Sequence, residues 1–271
     1  MTRSERETFF RAFHASHPAV TSRAFGGGCG ADGRSSYELL LDEIAGPGRV
    51  LDLACGDGFL LDLLAAAGHQ AVGIDLSSTD LALAKQRSAT VVEGRAQQLP
   101  FADHTFDACV SHMAFMLMSD IDEVAAELAR VLRPGGQLSL VLSGGAAGDD
   151  ARTLFGKLLR EILAGVPAEQ RLSPLGDERT ATQAGLDEIL APAGFGPVRW
   201  RTEEIDFSGS LDQVWDFVST FYNLFPLSES ASGALETAFR TQAPALARPD
   251  GLIPLAFQVH LASTHTVHKG H

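Results

Sequence analysis

The chain has 271 residues, enough to bury one sizeable core with a smaller appended lobe. Acids outnumber bases 34 to 21 and the formal charge is −13, which argues against a nucleic-acid partner, because phosphate binding needs clustered Lys and Arg. No apolar run of ~18 residues suggests a membrane span, "MTRSERETFFRAFHASHP" lacks the apolar centre of a secretory signal, and three cysteines without metal-ligand spacing fit a reducing cytoplasm.

In chain order, residues 4–15 predict an amphipathic helix, with Phe9, Phe10 and Phe13 at near-helical spacing. "AFGGGCGADGRSS" (24–36) reads as a flexible Gly-rich connector, whose Ser35 or Ser36 caps the helix "YELLLDEIAG". Apolar strands and helices then alternate. "RVLDLA" is a strand, "GFLLDLLAAAG" a helix, "QAVGIDL" a strand. "SSTDLALAKQRS" is a helix capped by Ser77 or Ser78. "TVVEG" and "TFDACVS" are strands, "DIDEVAAELARVL" is a helix with Asp120 as cap, "RPGG" is a turn and "QLSLVLS" a strand. Strands separated by helices of 10–13 residues mean βαβ units and a parallel sheet. Further on, 150–165 and 181–195 read as helices flanking a loop (166–180), and "GPVRWRTEEIDF" as a strand. Residues 210–225 and 228–247 read as two helices, and "LIPLAFQVHLAS" as a closing strand. The tail "THTVHKGH" reads as frayed, with no metal site expected.

The stretch "RVLDLACGDGFLLDLL" (49–64) puts a Gly-rich turn between strand and helix, where backbone can approach a ligand. A dinucleotide fingerprint would place a third Gly at the position of Leu61. Asp52 and Asp57 flank the turn and would repel a pyrophosphate. A ligand with positive charge and no phosphate suits them better.

Taken together, "VLDLACGDG", "VGIDLS", "LPF", "FDACVSHMAF" and "ELARVLRPGG" resemble the successive motifs of the class I S-adenosylmethionine-dependent methyltransferases. The resemblance covers about residues 36–143. It implies a Rossmann-like α/β fold with a seven-stranded, mostly parallel sheet and helices on both faces. Residues 1–34 are expected as an N-terminal helical lid, and 35–271 as the methyltransferase domain with a helical cap inserted at about 208–250 before the last strand. S-adenosylmethionine is the implied cofactor, with no metal. Gly56 and Gly58 permit close backbone approach and tight helix packing, and Ala54 stands where many family members have Gly. Asp75, 17 residues after Gly58, is placed to accept from the ribose hydroxyls, with helix capping as its alternative role. Leu76 packs on the adenine face. Where the family often has an acid before "LPF", this chain has Arg95, which cannot accept a hydrogen bond. The backbone of Ala96 and the amide oxygen of Gln97 remain as adenine contacts. The carbonyl of Ser111 faces the cofactor ammonium, Met113 lies beside it, and Arg34 and Tyr37 are candidates for its carboxylate.

His112 is the candidate general base, with a structural hydrogen-bonding role as the alternative. Methyl transfer does not demand a base, since positioning alone can supply ~7–11 kcal/mol. The acceptor is expected to be a small, apolar or aromatic molecule. Its candidate contacts are Phe115, Met116, Trp215, Phe221 and Tyr222, with His14 and His17 from the lid; core packing is the plainer role for the aromatic ones. O-methylation in biosynthetic tailoring is the first expectation. A non-methylating reaction such as a cyclisation, or a ligand-sensing protein, are the alternatives.

Overall fold

The computed structural model describes residues 1–46, 48–87, 89–146, 148–167 and 171–267. Seven strands form one sheet: β1 (Arg49–Leu53), β2 (Gln70–Asp75), β3 (Val91–Glu93), β4 (Phe106–His112), β5 (Leu132–Ala146), β6 (Arg199–Asp206) and β7 (Ala256–His265). Their spatial order is β3-β2-β1-β4-β5-β7-β6. All pairings from β3 to β5 are parallel, and β7 runs antiparallel to both its neighbours. The sheet is therefore mostly parallel, as expected.

Alternation along the strands divides the apolar side chains between two faces. Val50, Val110, Val141, Val259 and Leu261 pack into one core, with α3 (Ser36–Leu41), α4 (Phe59–Ala66) and α7 (Ala151–Ala164). Leu51, Cys109, Leu138, Leu140 and Leu142 pack into the other, with α6 (Ile121–Val131) and α8 (Gln183–Ala193). Leu128 of α6 is fully buried there, and truncating it to Ala would cost ~2–5 kcal/mol.

Local chemistry sets several helix starts. Ser35 caps α3 in a reciprocal box with Glu38, and Ser77 caps α5 (Ser78–Gln86) by accepting from the Asp80 N–H. Asp120 does not cap α6 with its side chain. Its backbone is left-handed (φ 50°) and its carboxylate turns to Arg3 instead.

Other expectations are corrected. Within the connector and the residues before it lies a second short helix, α2 (Val20–Phe25), and α3 ends at Leu41 rather than near 46. "RPGG" is no terminating turn but an irregular stretch inside β5, with Gly135 at φ +77°. The tail is ordered through Thr264 and His265, which pair with Leu138 and Gln137. The rest of it, from 268, and residues 168–170 of the expected loop lie outside the described residues.

Beyond the sheet, α1 (Arg3–Ser16) packs against α5. The segment between β6 and β7 carries α9 (Leu211–Val218), a 3-10 turn (Tyr222–Leu224), α10 (Glu229–Gln242) and a second 3-10 turn (Ala243–Leu246). This places α1 and the Tyr222 turn beside the carboxyl edge of β1, β2 and β4, where a doubly wound sheet binds its ligand, while α9 and α10 pack with α7.

Candidate active site

The turn after β1 forms the floor of a cavity at this edge. Ala54 (φ +60°), Gly56 (+52°) and Gly58 (+82°) all take left-handed backbone. Glycine accepts that conformation freely, whereas at Ala54 the Cβ clash costs ~1–2 kcal/mol. The two glycines serve different ends. A Cβ on Gly58 would sit 3.0 Å from the Ala84 Cβ, so Gly58 lets α4 pack on α5; a Cβ on Gly56 would meet open space, so Gly56 leaves room at the cavity.

Asp75 ties the turn to β2. One carboxylate oxygen accepts from the Gly56 N–H at 2.9 Å and the other from the Ser77 N–H at 2.8 Å. Burial raises its pKa, and these two bonds oppose the shift. Each oxygen keeps a further lone pair. Asp52 is more deeply placed at the end of β1. Its Oδ2 is buried without a hydrogen-bond partner among the described residues. Desolvation first, then the nearby Asp75 and Asp57, holds its pKa well above the usual carboxylate range. Asp57 pairs outward with Arg87 at 3.0 Å.

The opposite wall is helical. Asp80 of α5 is 1% exposed and accepts the Ala19 N–H at 2.8 Å, while His14 Nδ1 lies 2.8 Å from its other oxygen. Arg11 pairs with Glu93 at 2.8 Å and also donates to the Leu76 carbonyl. Arg95 holds Glu7 of α1 at 2.8 Å, which is where the arginine in place of the family's acid is engaged. Tyr222 packs on Phe13 at 4.5 Å between ring centres, and its hydroxyl lies 3.4 Å from His14.

His112 ends β4 beneath this wall. Its ring stacks on Tyr37 at 3.7 Å and meets Phe25 edge-on. Nε2 is 2.9 Å from the Ser36 hydroxyl, and Nδ1 has no partner among the described residues. Desolvation lowers its pKa to about 3, so the imidazole is neutral at physiological pH. That environment disfavours taking up a proton, the step a general base requires. Tyr37 is likewise pushed well above its ordinary value by burial, then by Asp57 and Asp52. Met113 follows in left-handed backbone (φ 55°) and also lines the cavity. Such strain gathers at sites where the backbone is held for function.

The structure thus brings Tyr37, Asp52, Ala54, Gly56, Asp57, Asp75, Leu76, Ala96, Gln97, His112, Met113, His14 and Tyr222 to one cavity. With its mouth included it encloses about 1180 Å³. Other candidates lie elsewhere. Arg34 is drawn to the exposed acids Asp32 and Asp42. The Ser111 side chain is buried and donates to the Leu53 carbonyl at 2.9 Å. His17 stacks on the far side of Phe13 at 4.6 Å. Phe115 and Met116 belong to the core under α6, and Trp215 and Phe221 to the core around Phe155. Residues not proposed for the site from sequence also line the cavity: Arg6, Glu7, Phe10, Arg11 and Asp80. The one sequence signal for the four on α1 was the Phe spacing that marked that helix; Asp80 of α5 had none.

Fold and site together define a doubly wound α/β protein with a ligand cavity at the carboxyl edge of its sheet. The buried, donor-less oxygen of Asp52 and the open space over Gly56 fit S-adenosylmethionine. Residues 51–140 match a family model described as a methyltransferase domain. The chain is 37% identical over 166 residues to a demethylmenaquinone methyltransferase of Mycobacterium sp. (strain KMS), covering 58% of this chain and 71% of the relative. Among solved structures it resembles phosphoethanolamine N-methyltransferase 2 of Haemonchus contortus, crystallised with S-adenosyl-L-methionine (TM-score 0.56, 18% identity, 96% of this chain and 60% of that one). It also resembles the cyclase SpnF (TM-score 0.53, 20% identity, 85% and 80%). These two likenesses are of fold. The chain belongs to the class I S-adenosylmethionine-dependent methyltransferase family. Its cofactor is S-adenosylmethionine. Among the described residues there is no group of His, Cys, Asp and Glu able to hold a metal ion, and no helix long and apolar enough to cross a membrane.

Proposed function

We propose that the enzyme methylates a small, flat, apolar or aromatic acceptor, first of all at a phenol-type oxygen. The observation that carries this is the chamber itself: Phe10, Val20, Tyr37, Phe59, Met113 and Tyr222 line it around a neutral, buried His112. Aromatic and thioether side chains suit a planar ring. The relative named for demethylmenaquinone, a quinone by name, supports an acceptor of this kind and a biosynthetic setting. Cys29, Cys55 and Cys109 are all free thiols, which supports a cytoplasmic location.

The cofactor, when bound, supplies a methyl group on a sulfonium, already an excellent leaving group. The chain's residues bind and orient. Asp75 takes the ribose hydroxyls, Leu76 and Ala96 hold the base, and Asp52 faces the cationic amino-acid end. Helix α1 and Tyr222 exclude water from above. His112 orients the acceptor through Nδ1 rather than removing its proton, because burial has stripped the ring of its basicity. An acceptor hydroxyl must then be one that ionises readily, and a phenol at pKa ~10 does so far more readily than an aliphatic alcohol. Positioning supplies the remaining acceleration.

The test is a panel of phenols, aliphatic alcohols and amines, each incubated with methyl-labelled S-adenosylmethionine and scored by S-adenosylhomocysteine release. Phenol-type acceptors should give the fastest release. Transfer confined to amines overturns the oxygen assignment. An acceptor that is converted without any S-adenosylhomocysteine release points to cyclisation or another non-methylating reaction.

A further inference from the structure

Helix α1 contributes a carboxylate that nothing in the mechanism has used. Glu7 is 8% exposed and lines the cavity. One of its oxygens, Oε2, accepts from Arg95 at 2.8 Å. The other, Oε1, is buried and has no hydrogen-bond partner among the described residues. Leaving a buried acceptor unsatisfied is costly, and more so for a charged one, so the arrangement calls for a donor from the ligand.

The ligand's own chemistry offers one. An acid at the end of β2 takes the ribose in a doubly wound sheet, which places the base just beyond Asp75. There the strand-edge wall offers Leu76, Gly94 and Ala96, without a side-chain acceptor between them. Arg95 carries only donors, and Gln97 donates its amide N–H to the Ser119 carbonyl at 2.6 Å, which leaves its amide oxygen as the competing side-chain acceptor that the test below separates. Adenine presents an exocyclic amino group as a hydrogen-bond donor. We propose that Glu7 Oε1 accepts from that amino group, with Arg95 holding the carboxylate in place. This rests on S-adenosylmethionine being the cofactor. It makes the lid helix part of the cofactor site: the residue that reads the base arrives on α1, about 88 residues before the arginine that orients it.

The test is calorimetric binding of S-adenosylhomocysteine and of its analogue with purine in place of adenine, which lacks the amino group. A charge-assisted hydrogen bond should make the wild-type protein prefer the amino compound by about tenfold to a hundredfold. Glu7→Ala should bind both alike, with most of its loss falling on the amino compound. Should Glu7→Ala fail to fold, the near-isosteric Glu7→Gln serves instead; its neutral acceptor should cut the preference at least about threefold. Undiminished preference in either folded variant places the acceptor elsewhere, on Gln97 or the backbone, and overturns the proposal. So does a wild-type protein that binds both compounds equally well. A wild-type protein that binds neither compound contradicts the cofactor assignment itself, a different failure.

Discussion

The two walls of the cavity are held by different interactions. The strand-edge wall is rigid and local: Asp52, the Ala54–Gly58 turn and Asp75 come from two adjacent strands, and the Asp75 carboxylate pins both the turn and the start of α5 through backbone N–H groups. The helical wall is assembled from residues 3–25 and 222–225 by ion pairs and ring contacts, many of them half-exposed. Part-buried charge-assisted bonds are stronger and less screened than exposed pairs, which contribute ~0–1 kcal/mol each. The lesson is that the strand-edge wall is preorganised by local bonds, whereas the helical wall is held by weaker contacts between distant parts of the chain.

The largest expected effect comes from breaking the strand-edge wall. Asp75→Ala removes the proposed ribose acceptor and strands the Gly56 and Ser77 N–H groups, each worth ~1–3 kcal/mol. Calorimetry should show S-adenosylhomocysteine affinity down at least ~100-fold, with a lower Tm as well. An unchanged affinity in a folded variant would reduce Asp75 to a cap. Next, Tyr222→Ala opens the helical wall. A lost ring contact of ~1.5–3 kcal/mol should raise the acceptor KM by ~10-fold or more, while cofactor affinity stays within ~3-fold. Loss of cofactor binding instead would mean that the two walls are not separable.

His112 sits where the walls meet, and pH sharpens its role. Its native pKa of about 3 lies below the ordinary ~6.5, so between those values the unfolded chain binds a proton that the native one refuses. Stability should therefore fall as pH drops from ~6.5 towards about 3 and level off below. His112→Gln should show a flatter dependence in thermal melts, and parallel curves would contradict the burial argument. Turnover should carry no inflection from His112 between ~pH 5 and 8; a wild-type inflection near ~6.5 that vanishes in the variant would restore the general base. The smallest effect belongs to Arg3→Ala, which cuts the exposed pairs to Asp120 and Glu123. Stability should change by less than ~1 kcal/mol and cofactor affinity by less than ~3-fold.

The difference between the walls also explains what could be read from sequence. The turn, both serine caps, Asp75 and the parallel sheet are signalled by contiguous residues, because strand, turn and cap chemistry act within a few positions. Helix α2 carried no such signal: its N-cap, Ala19, is left-handed and offers no side-chain cap, and the helix lies between a proline and a glycine run. Glu7, Arg11 and Asp80 meet their partners Arg95, Glu93 and Ala19 only through tertiary contact across 61 to 88 positions, which no local pattern reports. Aromatic residues were legible as buried but not as wall or core. Tyr222 reaches the cavity, while Trp215 and Phe221, from the same stretch, pack against Phe155.

The central claim is that the acid-lined cavity selects a cationic, phosphate-free nucleoside. Calorimetric titration of the wild-type protein with S-adenosylmethionine, S-adenosylhomocysteine and a nicotinamide dinucleotide tests it most directly. Micromolar or tighter binding of the first two, with none of the third, is the expected result. Preferential binding of the dinucleotide would contradict the account at its base.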